Sequence, residues 1–249
     1  MSDLAARIRA LPAPRLLALD VDGTLAPIVE DPWAARVPPA TLAAVEALAA
    51  AEGYVVALLS GRDAEGLARV APLPNLWRGA EHGRIVLAPG EASRPERLTE
   101  EEQEALEEFA GEATATWVPQ GARLEVKPAA RAVHVRGLDE ALGEALLDAA
   151  EELAVALGLH PRRGRAVLEA EARRGSKRAG LARLATVTKA ASLVFAGDDL
   201  TDFEAIELAA AHGVGIFVES AERPEGPAGA SGSVAGPAGM AALLEALLG

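Results

Sequence analysis

The sequence lacks cysteine, long apolar runs and any excess of positive charge, and each absence excludes a class of protein. Because there is no cysteine, the chain forms no disulfides and offers no thiolate nucleophile or thiolate metal ligand. Catalysis would have to use carboxylates, lysine, histidine, serine or threonine. No apolar run reaches the roughly 18 residues of a membrane span, and the N-terminus lacks the pattern of a signal peptide. We therefore expect a cytoplasmic protein.

The charge balance excludes a further group of partners. Aspartate and glutamate total 37 residues against 24 lysines and arginines, which gives a formal net charge of −13. Nucleic acids and anionic membranes bind basic surfaces, so we expect neither as a partner. An anionic small-molecule substrate would need a local cation. The 249 residues, half of them apolar, suffice for one large domain or two smaller ones, and we expect a monomer.

Short apolar runs that stop abruptly at polar residues predict buried parallel strands. These runs are residues 16–21, 54–59, 193–196 and 214–218. An amphipathic helix is predicted at 39–52, between the first two strands, and another at 202–211, before the last. The alternation of strand and helix predicts an α/β fold with a Rossmann-like, doubly wound parallel sheet.

Two segments depart from this alternation. The middle of the chain contains patterns typical of an acidic helix (98–110), a hairpin (122–128 and 131–136), a long helix (138–158) and a further strand (164–172). It predicts an inserted α+β module over residues 94–170, which divides the core into residues 1–93 and 171–249. Near the end, residues 222–239 are mostly Gly, Pro, Ala and Ser, which predicts a mobile loop before a short final helix.

Acidic motifs follow two of the predicted strands. The motifs are DVDGT at 20–24 and GDDLTD at 197–202. In open α/β sheets ligands bind outside the carboxyl ends of the strands. There, five carboxylates would repel one another unless a cation intervened, and hard oxygen ligands suit Mg²⁺. Those carboxylates belong to Asp20, Asp22, Asp198, Asp199 and Asp202. Each motif alone also fits a turn or a helix N-cap.

The order of four motifs resembles the haloacid dehalogenase-type phosphohydrolases. They are DVDGT, Ser60 at the end of the second strand, Lys177 and GDDLTD. The insertion resembles the type 2 cap of sugar phosphatases in that superfamily. Four further segments are similar to trehalose-6-phosphate phosphatases: GAEHG at 79–83, LEVKP at 124–128, VHVR at 133–136 and VLEAEARRGSK at 167–177. The chain departs from that family at Ala172, usually proline, and at Arg178, usually glycine.

The resemblance implies a division of labour between the first two aspartates. Asp20 would attack phosphorus to form an aspartyl-phosphate, and Asp22 would protonate the leaving oxygen and later deprotonate the attacking water. Mg²⁺ would be held by Asp20, Asp198 and the backbone carbonyl of Asp22. Asp199 and Asp202 are expected to act behind these ligands or as alternative metal ligands, although both also fit N-cap positions of the following helix.

Phosphate binding is expected at two places. The Ser60 hydroxyl and the Gly61 backbone N–H, which follow the second strand, could both bind phosphate oxygens. By the resemblance, Lys177 would supply a positive charge to the phosphate. Locally its segment also fits the start of a basic, solvated helix, where Arg174 or Arg178 could take its place.

The predicted cap hairpin alternates apolar and polar residues. Leu124, Val126, Val133 and Val135 would pack on one face. The other face would be polar, and the resemblance implies that Glu125, Lys127 and Glu169 contact the glucose distal to the phosphate. A solvated outer face would show the same pattern. His82 and His134 are expected to be structural.

The sequence thus predicts a Mg²⁺-dependent phosphatase with trehalose 6-phosphate as its substrate. The enzymatic alternatives are a phosphatase for sucrose, glucosylglycerol or mannosylglycerate phosphate, and a phosphosugar mutase. A noncatalytic sugar-phosphate sensor is the alternative from another class. It would not need a nucleophile beside an acid/base, which Asp20 and Asp22 together provide.

Overall fold

The computed structural model describes residues 2–29, 31–92, 97–164, 166–220 and 223–249. The chain divides into two compact units. The first comprises Met1–Ser93 and Gly175–Gly249, and the second comprises Arg94–Arg174. The predicted domain boundary between residues 93 and 94 lies outside the described residues, and the boundary predicted after residue 170 stays a prediction.

Strands and helices are numbered in chain order. The strands are β1 (Arg15–Leu19), β2 (Tyr54–Leu59), β3 (Trp77–Ala80), β4 (Ile85–Leu87), β5 (Arg123–Lys127), β6 (Ala130–His134), β7 (His160–Gly164), β8 (Val167–Glu171), β9 (Ser192–Gly197), β10 (Gly213–Glu219) and β11 (Gly232–Ala235). The helices are α1 (Ser2–Arg9), α2 (Pro39–Ala50), α3 (Ala64–Val70), α4 (Glu100–Glu112), α5 (Glu140–Ala156), α6 (Lys177–Thr188), α7 (Phe203–His212) and α8 (Gly236–Leu248). Within the ranges given above, no helix has the length and apolar character needed to cross a membrane.

The first unit contains a largely parallel sheet with strand order β11-β10-β9-β1-β2-β3-β4. All neighbouring pairs are parallel except β3 and β4, which form an antiparallel pair at one edge. Because β1 lies between β9 and β2, the carboxyl ends of these three strands share one edge of the sheet. The predicted α/β fold with a parallel-sheet core is confirmed.

Alternate residues of β1 pack against two different helical layers. Leu17 and Leu19 belong to a cluster that includes side chains of α1, α2, α3 and α8. Leu16 and Ala18 belong to a cluster that includes side chains of α6 and α7. All four residues are fully buried, so both faces of the strand lie in the protein interior. This burial explains why the strand is a continuous apolar run rather than an alternating one.

The prediction of a mobile loop at 222–239 is wrong for residues 232–239. Residues 232–235 form the edge strand β11, which pairs in parallel with β10, and α8 begins at Gly236. An edge strand needs backbone hydrogen bonds but few large side chains. Val234 supplies the one buried apolar side chain of β11. Residue 222 lies outside the described residues.

The second unit contains an antiparallel sheet with strand order β5-β6-β8-β7. Its core joins apolar residues of the sheet to α4 and α5. These residues include Val133, Leu168, Leu106, Phe109, Leu146 and Leu147. Sequence reasoning missed β7, since its sequence HPRRG has no apolar alternation.

The prediction that Val126 packs on the apolar face is wrong: Val126 is 66% exposed, because β5 is an edge strand.

Candidate active site

Three neighbouring strands of the first unit each end in a buried polar residue. Asp20 directly follows β1, Ser60 directly follows β2, and Asp198 directly follows β9. The backbone N–H of Asp20 donates to the carbonyl of Ala196 at 2.9 Å, which continues the pairing of β1 with β9 by one residue. The parallel sheet therefore brings all three side chains to the same edge, as the sequence predicts.

Lys177 lies in direct contact with two aspartates of this edge. Its Nζ is 2.6 Å from Asp20 Oδ1 and 2.6 Å from Asp202 Oδ1, and all three side chains are buried. Burial acts to lower the pKa of Lys177, but the charges of Asp20 and Asp202 outweigh it, so the pKa lies above its usual value. Lys177 is the first residue of α6, and the hydroxyl of Ser176 caps this helix by accepting from the N–H of Ala179. The helix start therefore fixes a charged lysine against the carboxylates.

Lys177 compensates only part of the negative charge of Asp20 and Asp198. Burial raises the pKa of Asp20 well above its usual value, while the charge of Lys177 opposes the rise. Burial and the negative charge of Asp202 raise the pKa of Asp198 to about 6. The hydroxyl of Thr24 lies 3.4 Å from Asp20 Oδ2 and 3.3 Å from Asp198 Oδ1. A cation at these carboxylates would stabilise their ionised forms.

The donor set fits a hard metal ion. Carboxylate oxygens of Asp20, Asp198 and Asp202 lie within 4.8 Å of one another, and all three residues are buried. Oxygen-only donors with negative charge suit a cation of the Mg²⁺ type. Asp202, expected behind the ligands or as an alternative ligand, belongs to this cluster. The role predicted for the backbone carbonyl of Asp22 stays a prediction.

Asp22 is held by the arginine of the SGR segment at 60–62, to which the sequence alone gave no role. Arg62 donates from Nε to Asp22 Oδ2 and from Nη2 to Asp22 Oδ1, both at 2.7 Å. The same Nη2 donates to the carbonyl of Pro32 at 2.8 Å. The only signal for this arginine in the sequence is its place directly after Ser60 and Gly61.

The loop that carries Ser60 and Gly61 rests on the turn between β3 and β4. The N–H of His82 donates to the carbonyl of Ser60 at 2.9 Å, and the N–H of Glu81 donates to the carbonyl of Arg62 at 2.8 Å. A side-chain carbon at Gly61 would overlap the ring of His82. Glu81 and His82 both have positive φ angles, 50° and 55°, which few residues without functional or packing constraints adopt. The GAEHG segment therefore shapes the predicted phosphate loop.

The second acidic motif forms a capped turn. The N–H of Asp199 donates to Asp202 Oδ2 at 3.0 Å, across the short 3₁₀ turn Leu200–Asp202. Arg223 Nη1 lies 3.0 Å from Asp199 Oδ1. Asp199 and Asp202 therefore also cap a turn. Asp202 contacts Lys177 in addition. Their roles at a metal stay predictions.

In the second unit, the residues predicted to bind sugar lie on one face of the sheet. Glu125 and Glu169 both pair with Ala132, from opposite sides of β6. Lys127 Nζ lies 2.7 Å from Glu169 Oε1, and His134 Nε2 lies 2.8 Å from Glu125 Oε2. The hydrogen bond from His134 lowers the pKa of Glu125, against the opposing effect of burial and with help from the charge of Lys127. His134, expected to be structural, therefore contacts a predicted substrate-binding residue.

The chain is similar to known trehalose phosphatases. A family model described as trehalose-phosphatase matches residues 18–237. The chain is 31% identical over 217 residues to a trehalose-phosphate phosphatase of Mycobacterium tuberculosis, covering 82% of this chain and 53% of that protein. It is 33% identical over 215 residues to an uncharacterized glycosyl hydrolase of the same species, covering 82% of this chain and 16% of that protein. The chain thus spans about half the length, or less, of these curated relatives.

Solved structures show the same fold. A trehalose-6-phosphate phosphatase related protein has a TM-score of 0.74 and 25% identity, with 94% of this chain and 96% of that chain covered. The C-terminal domain of trehalose-6-phosphate phosphatase from C. albicans has a TM-score of 0.78 and 20% identity, with 98% and 95% covered. At that identity the second likeness concerns the fold alone.

Proposed function

Because the chain belongs to the trehalose-phosphatase family, we propose that it is a Mg²⁺-dependent phosphatase that hydrolyses trehalose 6-phosphate to trehalose and phosphate. One observation carries the proposal: the buried carboxylate of Asp20 contacts Lys177 and lies beside Asp198 at the carboxyl edge of the sheet. A nucleophile, a phosphate-binding cation and a metal ligand in one place are what phosphoryl transfer to a carboxylate requires.

The reaction would proceed in two steps. First, a carboxylate oxygen of Asp20 attacks phosphorus, the bond between phosphorus and the sugar oxygen breaks, and Asp22 gives a proton to that oxygen. Trehalose then leaves, and an aspartyl-phosphate remains on Asp20. Second, water attacks the phosphorus of this intermediate, the bond between phosphorus and the Asp20 oxygen breaks, Asp22 accepts the proton from the water, and free phosphate leaves. The proton returned to Asp22 balances the cycle.

Charge at the phosphate would be compensated by residues from three segments. Lys177, with its raised pKa, stays positively charged throughout the physiological range. Ser60 contributes a hydroxyl and Gly61 a backbone N–H to the phosphate oxygens. Asp20, Asp198 and the backbone carbonyl of Asp22 would hold Mg²⁺. When bound, the ion supplies positive charge that screens the carboxylate nucleophile from the anionic substrate.

Recognition of the sugar would fall to the polar face of the second unit. Glu125, Lys127 and Glu169 offer both acceptors and donors, as hydroxyl groups of a sugar require. Their ion pairs hold the side chains in defined orientations before substrate binds. A site built from such groups rejects an analogue that leaves one of them unpaired.

Phosphate release tests this proposal. The wild-type protein with Mg²⁺ is compared on trehalose 6-phosphate, glucose 6-phosphate, sucrose 6-phosphate, glucosylglycerol phosphate and mannosyl-3-phosphoglycerate. We expect a preference of orders of magnitude for trehalose 6-phosphate. We also expect Asp20→Asn to lower kcat by more than about 10³-fold. Asp3→Asn, at an exposed position of α1, is the matched control and should retain full activity.

The alternatives give different results in the same assay. Equal, weak turnover of all esters would support phosphatase activity but reject trehalose 6-phosphate as the preferred substrate. Transfer of the phosphoryl group between sugars with little free phosphate would identify a mutase. Binding of a sugar phosphate in the presence of Mg²⁺ without turnover would identify a sensor. Full activity of Asp20→Asn would reject the proposed nucleophile.

A further inference from the structure

Asp22 is the one aspartate of the DVDGT motif whose two carboxylate oxygens are both held by one arginine. Each oxygen accepts a hydrogen bond from a different nitrogen of Arg62, and both bonds are 2.7 Å long. Two parallel bonds fix the plane of the carboxylate as well as its position. The orientation of Asp22 therefore depends on the guanidinium group of Arg62.

Arg62 is itself held from several sides. Its backbone N–H donates to Ser60 Oγ at 3.2 Å, and its carbonyl accepts from Glu81 at 2.8 Å. Its Nη2 also donates to the carbonyl of Pro32. The guanidinium therefore projects from a loop that backbone hydrogen bonds already fix. It links the segment after β1 to the segment after β2.

The pair is buried at one end and accessible at the other. The Arg62 side chain is 15% exposed, whereas that of Asp22 is 37% exposed. A purely structural ion pair would not require the Asp22 carboxylate to be accessible from outside the protein. A carboxylate that exchanges a proton with a substrate needs to be reached, and it needs a fixed direction.

We propose that Arg62 is a positioning residue, which orients the carboxylate of Asp22 toward the leaving oxygen of the substrate. The inference rests on the proposed function, because it assumes that Asp22 transfers the proton. A lysine at this position could bind only as a point charge and would not hold both oxygens in one plane. Arginine is therefore required by the geometry, beyond its positive charge.

A double-mutant cycle on two substrates tests this role. The variants are Arg62→Met, Arg62→Lys, Asp22→Asn and the Arg62→Met/Asp22→Asn double variant. The substrates are trehalose 6-phosphate, whose alkoxide leaving group needs a proton, and p-nitrophenyl phosphate, whose phenolate does not. Arg69→Met is the control. Arg69 lies in α3, pairs with the exposed Glu65 and stacks on Trp33.

We expect Arg62→Met to lower kcat on trehalose 6-phosphate by about 10²-fold, at the lower end of general acid–base effects. KM should change little. In the Asp22→Asn background the same substitution should lower kcat by less than about 3-fold, because the residue it orients is already disabled. On p-nitrophenyl phosphate the release of p-nitrophenolate in the first turnover should slow little, because only the second step there needs Asp22. Arg62→Lys should restore part of the activity on trehalose 6-phosphate, and Arg69→Met should match the wild type.

Other outcomes would overturn the inference. If the losses of Arg62→Met and Asp22→Asn multiply, or if the first-turnover release of p-nitrophenolate slows as much as that of trehalose, Arg62 acts on the phosphate or the loop and not through Asp22. If Arg62→Met does not fold, as judged by thermal unfolding, the cycle is measured with Arg62→Lys in both backgrounds. A wild-type protein that cleaves p-nitrophenyl phosphate but not trehalose 6-phosphate would reject the proposed function instead.

Discussion

The two units hold their polar groups in different ways. In the first unit, Asp20, Asp198 and Lys177 are buried, and each lies at the end of a strand or the start of a helix. In the second unit, Glu125, Lys127 and Glu169 are only partly buried and stand in the middle or at the end of strands of an antiparallel sheet. Burial and the ends of strands and helices restrict the first set, which also contains the ion pair between Lys177 and Asp20. The second set is held by ion pairs between partly exposed side chains.

This difference matches the proposed roles. A reacting group must keep its position within a fraction of an ångström, and backbone-fixed, buried side chains provide that. A group that reads sugar hydroxyls can tolerate more adjustment of a longer side chain. Substitutions in the first unit should therefore lower kcat, and substitutions on the polar face of the second unit should raise KM.

The largest effect is expected for Lys177→Met. The substitution leaves Asp20 and Asp202 buried without their cation, which costs about 3–5 kcal/mol when one partner of a buried pair is lost. We expect a large drop in kcat together with a lower melting temperature. The measurements are phosphate release and thermal unfolding, with exposed Lys189→Met as the control. Unchanged kcat in a folded Lys177→Met protein would contradict the role of the lysine.

Gly23→Ala should disable the site through one methyl group. Gly23 has a φ of +81°, and a side-chain carbon there would overlap the carboxylate of Asp198. The matched control is Gly90→Ala, where φ is +73° but an added side-chain carbon would have no described residue within 4 Å apart from its chain neighbours. Both substitutions should cost about 1 kcal/mol of stability through backbone strain. Only Gly23→Ala should also lower kcat and weaken activation by Mg²⁺, measured by titration with the metal. Equal activities of the two variants would show that Asp198 can move without consequence.

For Glu125→Gln we expect a smaller effect, and on KM rather than on kcat. The substitution removes the charge that pairs with His134, and a hydrogen bond to a charged group contributes about 1.5–3 kcal/mol. We expect KM for trehalose 6-phosphate to rise by about 10-fold, with little change in kcat. Hydrolysis of p-nitrophenyl phosphate should not change. Glu108→Gln, exposed on α4, is the control. A fall in kcat on both substrates would place Glu125 in the reaction rather than in sugar recognition.

The smallest effect is expected at a surface cluster of the second unit. Arg163 binds three acidic residues of α5, namely Glu144, Asp148 and Glu151. Their side chains are 44–66% exposed, so Arg163→Met should lower stability by no more than about 1 kcal/mol, and less in high salt. Thermal unfolding at two salt concentrations measures it, with exposed Arg136→Met as the control. A loss of activity from Arg163→Met would show that this cluster has more than a stabilising role.

The sequence predicted the backbone-fixed part of the site better than the rest. The carboxyl ends of parallel strands share one edge, so the sequence alone predicts that Asp20, Ser60 and Asp198 lie close together. The predicted family and the α/β fold are confirmed. The roles of the individual site residues stay predictions.

What the sequence did not predict depends on the reach of side chains or on weak local patterns. Arg62 and Asp22 are separated by 40 residues, and nothing in either motif requires them to pair. Likewise, His134 reaches Glu125 diagonally across the hairpin, and its alternation pattern could not distinguish this contact from a solvated face. The strands β7 and β11 were missed because HPRRG and GSVA contain few apolar residues, so only their neighbours in the sheet make them strands.

The most direct test of the account is to trap the phosphorylated enzyme. The wild-type protein is mixed with trehalose 6-phosphate and Mg²⁺ for less than one turnover, quenched in acid, reduced with borohydride and digested for mass spectrometry. An aspartyl-phosphate is an acyl phosphate, so reduction converts its aspartate to homoserine. We predict homoserine at position 20 and at no other aspartate. Hydrolysis of the substrate with residue 20 recovered as unmodified aspartate at every quench time would contradict the account.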